Sequence, residues 1–229
     1  MARSMQRRQK QLERKRKRQM ERQRELRRAK SRGLARLMAD AAAHPILHSC
    51  YQLECIADYG MGNVLLSRKL PDGRIAMALF LVDTYCCGVK HARAELMSPF
   101  AYDELLEELR ESGAFVAIPP ECLRKFVEGA VAFAAKYGLK PDREYARACP
   151  LFGDLDPKRC DTVWEYGDEG KPVYIVGPYD SPERQTEIIT TVTDTAGPEN
   201  FRVIIPVHGN RWLADKLMLD EDRYRGLYH

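Results

Sequence analysis

Asp83 is the acid best placed to do chemistry. It ends an otherwise apolar run, Ile75 to Val82, and is followed by Tyr85, the adjacent pair Cys86–Cys87, Gly88 and Lys90. A carboxylate at the end of a central strand is a common place for a catalytic or metal-binding group, and Lys90 and Asp180 are the other catalytic candidates. The local alternative is that Asp83 caps the turn Thr84 to Gly88 or pairs with Lys90. His44, His48, Cys50 and Cys55 are metal-ligand types within a short stretch. Pro45 keeps the two histidines off one regular helix face, and CxxC occurs nowhere. Adjacent thiols such as Cys86 and Cys87 bridge only through a strained ring, so packing is their expected role.

No motif names a reaction. Gly170-Lys171-Pro172 and Gly177-Pro178 read as turn and strand-end punctuation. There is no GxxxxGK[ST], no GxGxxG between strand and helix, and no GxSxG elbow. The expectation is a chain without metal or cofactor, more a binder than an enzyme.

Charge supplies the strongest functional signal. Residues 1–36 hold 16 of the 37 Lys and Arg but only three of the 33 acids (Glu13, Glu21, Glu25), a net of +13. That leaves 21 basic against 30 acidic residues in the remainder, a net of −9 beneath an overall +4. Arg7, Arg8, Lys10, Arg14, Lys15, Arg16, Lys17, Arg18, Arg22, Arg24, Arg27 and Arg28 are the candidate phosphate contacts. The segment is rich in helix formers. However, its apolar residues Met5, Leu12, Met20 and Leu26 are too sparse for a coiled-coil seam. The expected state is a long basic helix or disordered arm, helical once phosphates neutralise it. It lacks aromatic residues, so base stacking is not available from it. RNA, or a ribonucleoprotein, is the expected partner of the arm, and a protein the partner of the acidic body. The RKRKR run would also serve as a nuclear address. A thin apolar face argues against a membrane. The basic start with no apolar stretch after it argues against a secretory signal. The acids and scarce Ser argue against a mitochondrial presequence.

The elements that must position Asp83 follow from periodicity. After the arm (1–40), a short helix from Leu34 to Ala43 stops before Pro45. PILHSCYQLECIA, NVLLSRKL and RIAMALFLVDTY read as three strands, the last two a hairpin around Pro71-Asp72-Gly73. The third is apolar on both faces and is expected at the twice-covered centre of the sheet. Helices are expected from Pro99 to Ser112, from Pro120 to Gly138 and over 142–149, with AFVAI a strand between the first two. CPLFGDLDPKRC reads as a joint between sub-lobes 44–148 and 161–207. TVWEYGDEGKPVYIVGPYD reads as a second hairpin, Ser181-Pro182 starts a helix, and FRVIIPV is a last strand. The tail from His208 is expected to drape over the surface. The body (44–229) is therefore α+β, with a largely antiparallel sheet and packed helices. Seven cysteines, an odd number in apolar context, read as reduced core residues of a cytoplasmic protein.

Two blocks, GRIAMALFLVDTYCCGVKHA and YGDEGKPVYIVGPYDSPER, resemble an uncharacterised family of bacterial proteins, over roughly residues 45–205. The resemblance implies a bacterial, cytoplasmic body and brings no activity or site residue. The strand order is also similar to the opening of a ribonuclease H-like fold, whose enzymes hold two metal ions with several acids. Here the opening strand offers only Glu54, with Asp58 beyond it and Asp83, Asp161 and Asp180 elsewhere. A metal-dependent hydrolase or nuclease centred on Asp83 is thus the alternative to a binding role. An interaction domain with a solubilising tail is the third reading.

Overall fold

The computed structural model describes Met20 and residues 32–177 and 180–205. The expectations for the arm up to residue 31 and for the tail from His208 lie outside these residues. The fold is α+β, as the sequence indicates. Five antiparallel strands lie in the order β4-β3-β2-β1-β5: β1 Ile46–Gln52, β2 Met61–Lys69, β3 Ile75–Asp83, β4 Gly88–Met97 and β5 Phe115–Ala117.

Both faces of the sheet are covered, which is why β2 and β3 are apolar at consecutive positions. Val64, Leu66, Ala76, Ala78, Phe80 and Val82 face one way. They pack on α1 (32–41) through Met38 and Ala41, and on α4 (Pro120–Lys136) through Leu123, Phe126, Val127 and Ala130. Leu65, Ile75 and Met77 face the other way, against Tyr102, Leu105 and Leu109 of α3 (Pro99–Glu111). Ser98 caps α3 by accepting from the Ala101 amide, and Pro99 enters at the first turn. β3 is twice covered as expected, but the middle position belongs to β2.

A smaller lobe completes the body. β6 (Val173–Ile175) and β7 (Arg202–Ile204) pair in parallel, joined by α6 (Pro182–Ala196). Tyr174, Ile188, Val192 and Phe201 bury against Cys86, Cys87, Ala134 and Leu139, so residues from the two expected sub-lobes share one core.

Four elements differ from expectation. β4 was not anticipated: GVKHARAELM has a single β-branched residue, Val89, and no Phe, Tyr or Trp to mark a strand, and a register shift opposite Leu81 and Val82 breaks its alternation. The first strand ends at Gln52, and LECIADY forms α2 (Leu53–Tyr59), closed by Gly60 in the left-handed region. The second hairpin does not form. Its turn is present, with Asp168 and Lys171 bridged, but 161–166 joins no ladder and the other limb pairs with β7. Trp164 and Tyr166 instead find aromatic partners on α4. Finally, the cysteines are not all reduced. Cys122 of α4 is bonded to Cys160 across 38 residues, while Cys50, Cys55, Cys86, Cys87 and Cys149 are free.

Arg68 of β2 is 5% exposed. Its guanidinium donates to three carbonyls: Nε to Leu151 (3.1 Å), Nη1 to His44 (2.7 Å) and Nη2 to Phe152 (3.2 Å). It thereby ties both the chain leaving α1 and the short 3₁₀ turn Cys149–Phe152 to the sheet. Arg68→Met keeps the stem but strips two buried acceptors and one half-buried acceptor of their donor. Chemical denaturation is expected to show a loss of about 3 kcal/mol or more; an unchanged midpoint would refute that role. Closing a loop of this length restricts the unfolded chain by about 4 kcal/mol. A Cys122→Ser/Cys160→Ser variant should therefore unfold at clearly lower denaturant than the oxidised protein, and wild type in reductant should follow it.

Candidate functional site

Of the sequence-derived candidates, Lys90 and Asp180 come together. Lys90 rises from the start of β4, and Asp180 stands just before the Ser181 cap of α6. Lys90 Nζ lies 2.9 Å from Asp180 Oδ2, with the two side chains 14% and 9% exposed. The same oxygen accepts from the Tyr174 hydroxyl and from the Gly177 amide, each at 2.8 Å. Gln185 Nε2 donates to the Asp180 carbonyl at 2.7 Å, and Lys90 sits over the Tyr174 ring, 5.8 Å from its centre. A Cβ at Gly177 would lie 2.9 Å from Asp180 Oδ2 and 3.2 Å from Lys90 Nζ, so a bare backbone is needed for this approach. The cluster latches the small lobe to the main sheet.

Asp83 is buried beside it in the other of its two expected roles. Its Oδ1 accepts from the amides of Tyr85 (2.9 Å) and Cys86 (3.0 Å), capping the turn that leads to β4. Lys90 acts on it through the field and bonds to Asp180. The turn also anchors neighbours: Thr84 O accepts from Gly167 N at 2.8 Å, and Tyr85 O from Val173 N at 3.0 Å.

The electrostatics fix the protonation states. Burial draws the Lys90 ammonium down, but Asp180, with Cys87 and Asp83 behind it, outweighs burial and holds it above the ordinary lysine value. For Asp180, burial raises the carboxyl, and Lys90, Gly177 and Tyr174 together bring it below the usual range. Burial and then the neighbouring Asp180 push the Tyr174 hydroxyl up. Burial also raises Asp83 against the pull of Lys90 and the turn amides, and Cys87 is raised by its side-chain hydrogen bond with the Cys86 thiol and by burial. Near neutral pH, Lys90 is therefore held charged, Asp180 ionised and Tyr174 protonated. The three groups thus sit in complementary charge and hydrogen-bonding states, and the arrangement ties the small lobe to the main sheet.

The remaining acids do not join it. Glu54 lies in the first turn of α2, and Asp161 is exposed on the segment after Cys160. Among the described residues no three His, Cys, Asp or Glu side chains converge on a point that could hold a metal ion. His48 Nδ1 contacts the Tyr102 hydroxyl at 2.9 Å instead of a ligand set with Cys50 and Cys55. No described helix is long and apolar enough to cross a membrane. The nucleic-acid candidates Arg7 to Arg28 lie outside the described residues. Tyr174 and Arg68 were not singled out from sequence, and Gly177 reads there only as strand-end punctuation: each carries an ordinary strand or turn signal, and only tertiary contact gives it a role. The chain matches no protein-family model, no curated protein and no solved structure.

The latch has a definite pH signature. Asp180 is depressed in the fold, so its contribution is complete above the unfolded carboxyl value, about 4, and is lost as pH falls through the lower folded value. Lys90 is raised, so its contribution is complete below about 10.4 and is lost as pH climbs through the higher folded value. Asp180→Asn leaves Lys90 buried without its counter-ion and is expected to cost about 3–5 kcal/mol at neutral pH, with a weaker fall in stability on acidification. Asp83 has the opposite sign, since a raised carboxyl loses stability as pH rises from the unfolded towards the folded value. Asp83→Asn should therefore be far less damaging near neutrality. Urea titrations of both variants from acid to neutral pH check this, and equal losses would overturn the assignment.

Proposed function

We propose that the chain is a non-catalytic binding protein whose basic arm contacts RNA or a ribonucleoprotein and whose acidic body contacts a protein partner. The observation that carries this reading is the division of charge, +13 over residues 1–36 and −9 over the rest. Each Lys or Arg that meets a phosphate releases counterions, giving attraction on the order of 10⁻⁴–10⁻⁶ M in Kd that is steeply salt-dependent and sequence-tolerant. The body's own charge repels phosphates, so grip and presentation fall to different parts of the chain. Met38 and Ala41 are buried, which supports reading the helix after the basic residues as part of the body. The capping role of Asp83 lends the hydrolase reading no support.

A bacterial, cytoplasmic setting fits an RNA partner and the resemblance of the two sequence blocks. In that compartment the Cys122–Cys160 bond must resist cellular thiols. Burial of both residues, 7% and 4% exposed, supplies such protection.

Fluorescence anisotropy with single-stranded RNA and duplex DNA tests the reading. Full-length protein is compared with a variant in which the arm residues from Arg7 to Arg28 named above are Gln, and with one lacking residues 1–31. The deletion stops there because the helix from residue 32 belongs to the core. The expected result is binding to RNA that falls on the order of 10³-fold between about 50 and about 200 mM salt and is lost in both variants. Binding that survives either change, or no binding at low salt, would contradict the proposal; the latter favours a solubilising tail.

A further inference from the structure

The segment from Cys160 to Gly167 is held at both ends and free along its backbone. At one end the disulfide fixes Cys160 to α4, and Lys125 Nζ donates to the Cys160 carbonyl at 2.7 Å. At the other, the Gly167 amide donates to Thr84 O. Between them, no main-chain group of residues 161–166 makes a hydrogen bond to a described residue. The side chains nevertheless alternate from Val163 to Tyr166, and Thr162, though exposed, turns its hydroxyl towards Cys122 of α4. Trp164 stands edge-on to Phe126 with ring centres 4.8 Å apart. Tyr166 donates to the Phe126 carbonyl at 2.8 Å and stacks on Phe133. A Cβ at Gly129 would fall 2.3 Å from the Tyr166 hydroxyl, so the helix is bare where the segment crosses it. Asp161, Val163 and Glu165 point outward, Val163 at 83% exposure. This is the two-residue period of an extended chain seated on a helix.

The geometry points to residues 161–165 as a docking edge for an extended basic peptide, which adds to the body as a β-strand. The inference rests on reading the body as protein-binding and names the surface and the class of partner. Unpaired amides and carbonyls on a chain already clamped in position form a ladder without the ordering cost of a free loop. Charge selects the occupant. Asp161 and Glu165 flank Val163 on one face, so a fitting strand places a β-branched or apolar residue opposite Val163 and Lys or Arg two positions to either side. A second copy of this chain is disfavoured, because antiparallel self-pairing about Val163 sets Asp161 against Glu165.

The probe is a fluorescein-labelled peptide, Thr-Lys-Thr-Val-Thr-Lys-Thr, titrated into the full-length oxidised protein. Two further versions carry N-methyl groups on alternate amides, one on the odd and one on the even residues. The expected result is saturable binding of the parent, loss with one methylation pattern and retention with the other, since only one edge of the peptide enters the ladder. The Asp161→Lys/Glu165→Lys variant should bind at least about tenfold more weakly. Hydrogen exchange of the 161–165 amides should slow with the parent peptide. Thermal unfolding of the variant should match wild type, because both positions are exposed. The proposal is overturned by failure of the parent to bind, by equal binding of all three peptides, or by indifference to charge reversal. RNA binding by the arm is read on the same samples. Peptide failure with salt-sensitive RNA binding intact removes this docking edge alone, while loss of RNA binding with peptide binding intact removes the arm's role alone.

Discussion

The body is organised around a cation it cannot leave in water. Arg68 stands on β2, the middle strand, with its guanidinium under the turn that follows Ala148. Burial lowers its pKa, and the Asp154 carboxylate works in the other direction. No carboxylate bonds it directly; three backbone dipoles do so through the planar fork that arginine alone provides. Those carbonyls belong to the exit of α1 and to the 3₁₀ turn, so one side chain sets where the N-terminal helix and the loop beyond α5 (Tyr145–Ala148) meet the sheet.

Lys90 solves the same problem differently. An ammonium has no fork, and here it is matched by one carboxylate oxygen that also takes two neutral donors. The two cations stand on β2 and β4 and each draws in a later stretch of chain, Arg68 the 149–152 turn and Lys90 the α6 entry. The aromatic contacts between α4 and residues 164–166 lie between these points, and the disulfide adds a covalent tie. The helix-poor stretch from 149 to 181 is thus held through side chains where ladders are absent.

How far the sequence revealed this depends on the range of each interaction. β2, β3, α3, α4 and α6 carry their own periodicity, caps and breakers, and all were legible. β4 was not, because its Lys, His, Arg, Glu and Ala residues gain their place from pairing with β3 and leave no local trace. LECIADY was joined to the preceding strand because seven residues are too few to show a helical period. The second hairpin failed because Trp164 and Tyr166 prefer partners on α4. Asp83 as a turn cap was readable, since the amides it serves lie within three residues. Lys90 and Asp180 were each noticed but not as a pair, because 90 residues separate them. The Cys122–Cys160 bond was hidden for the same reason: an odd set of seven cysteines offers many pairings and no geometry.

That separation also has a consequence during synthesis. All five strands of the main sheet have left the ribosome once Ala117 emerges, whereas Asp180 follows Lys90 by 90 residues. From Ala117 to Asp180 is 63 residues, so at ordinary elongation rates the completed sheet waits roughly 3–13 s. Through that interval the nascent sheet holds the Lys90 ammonium near Asp83 but without Asp180, the carboxylate that bonds it, and water serves it there. The last lobe to be made is thus the one that dries it, so closure of the body is timed by translation of its own C-terminal third.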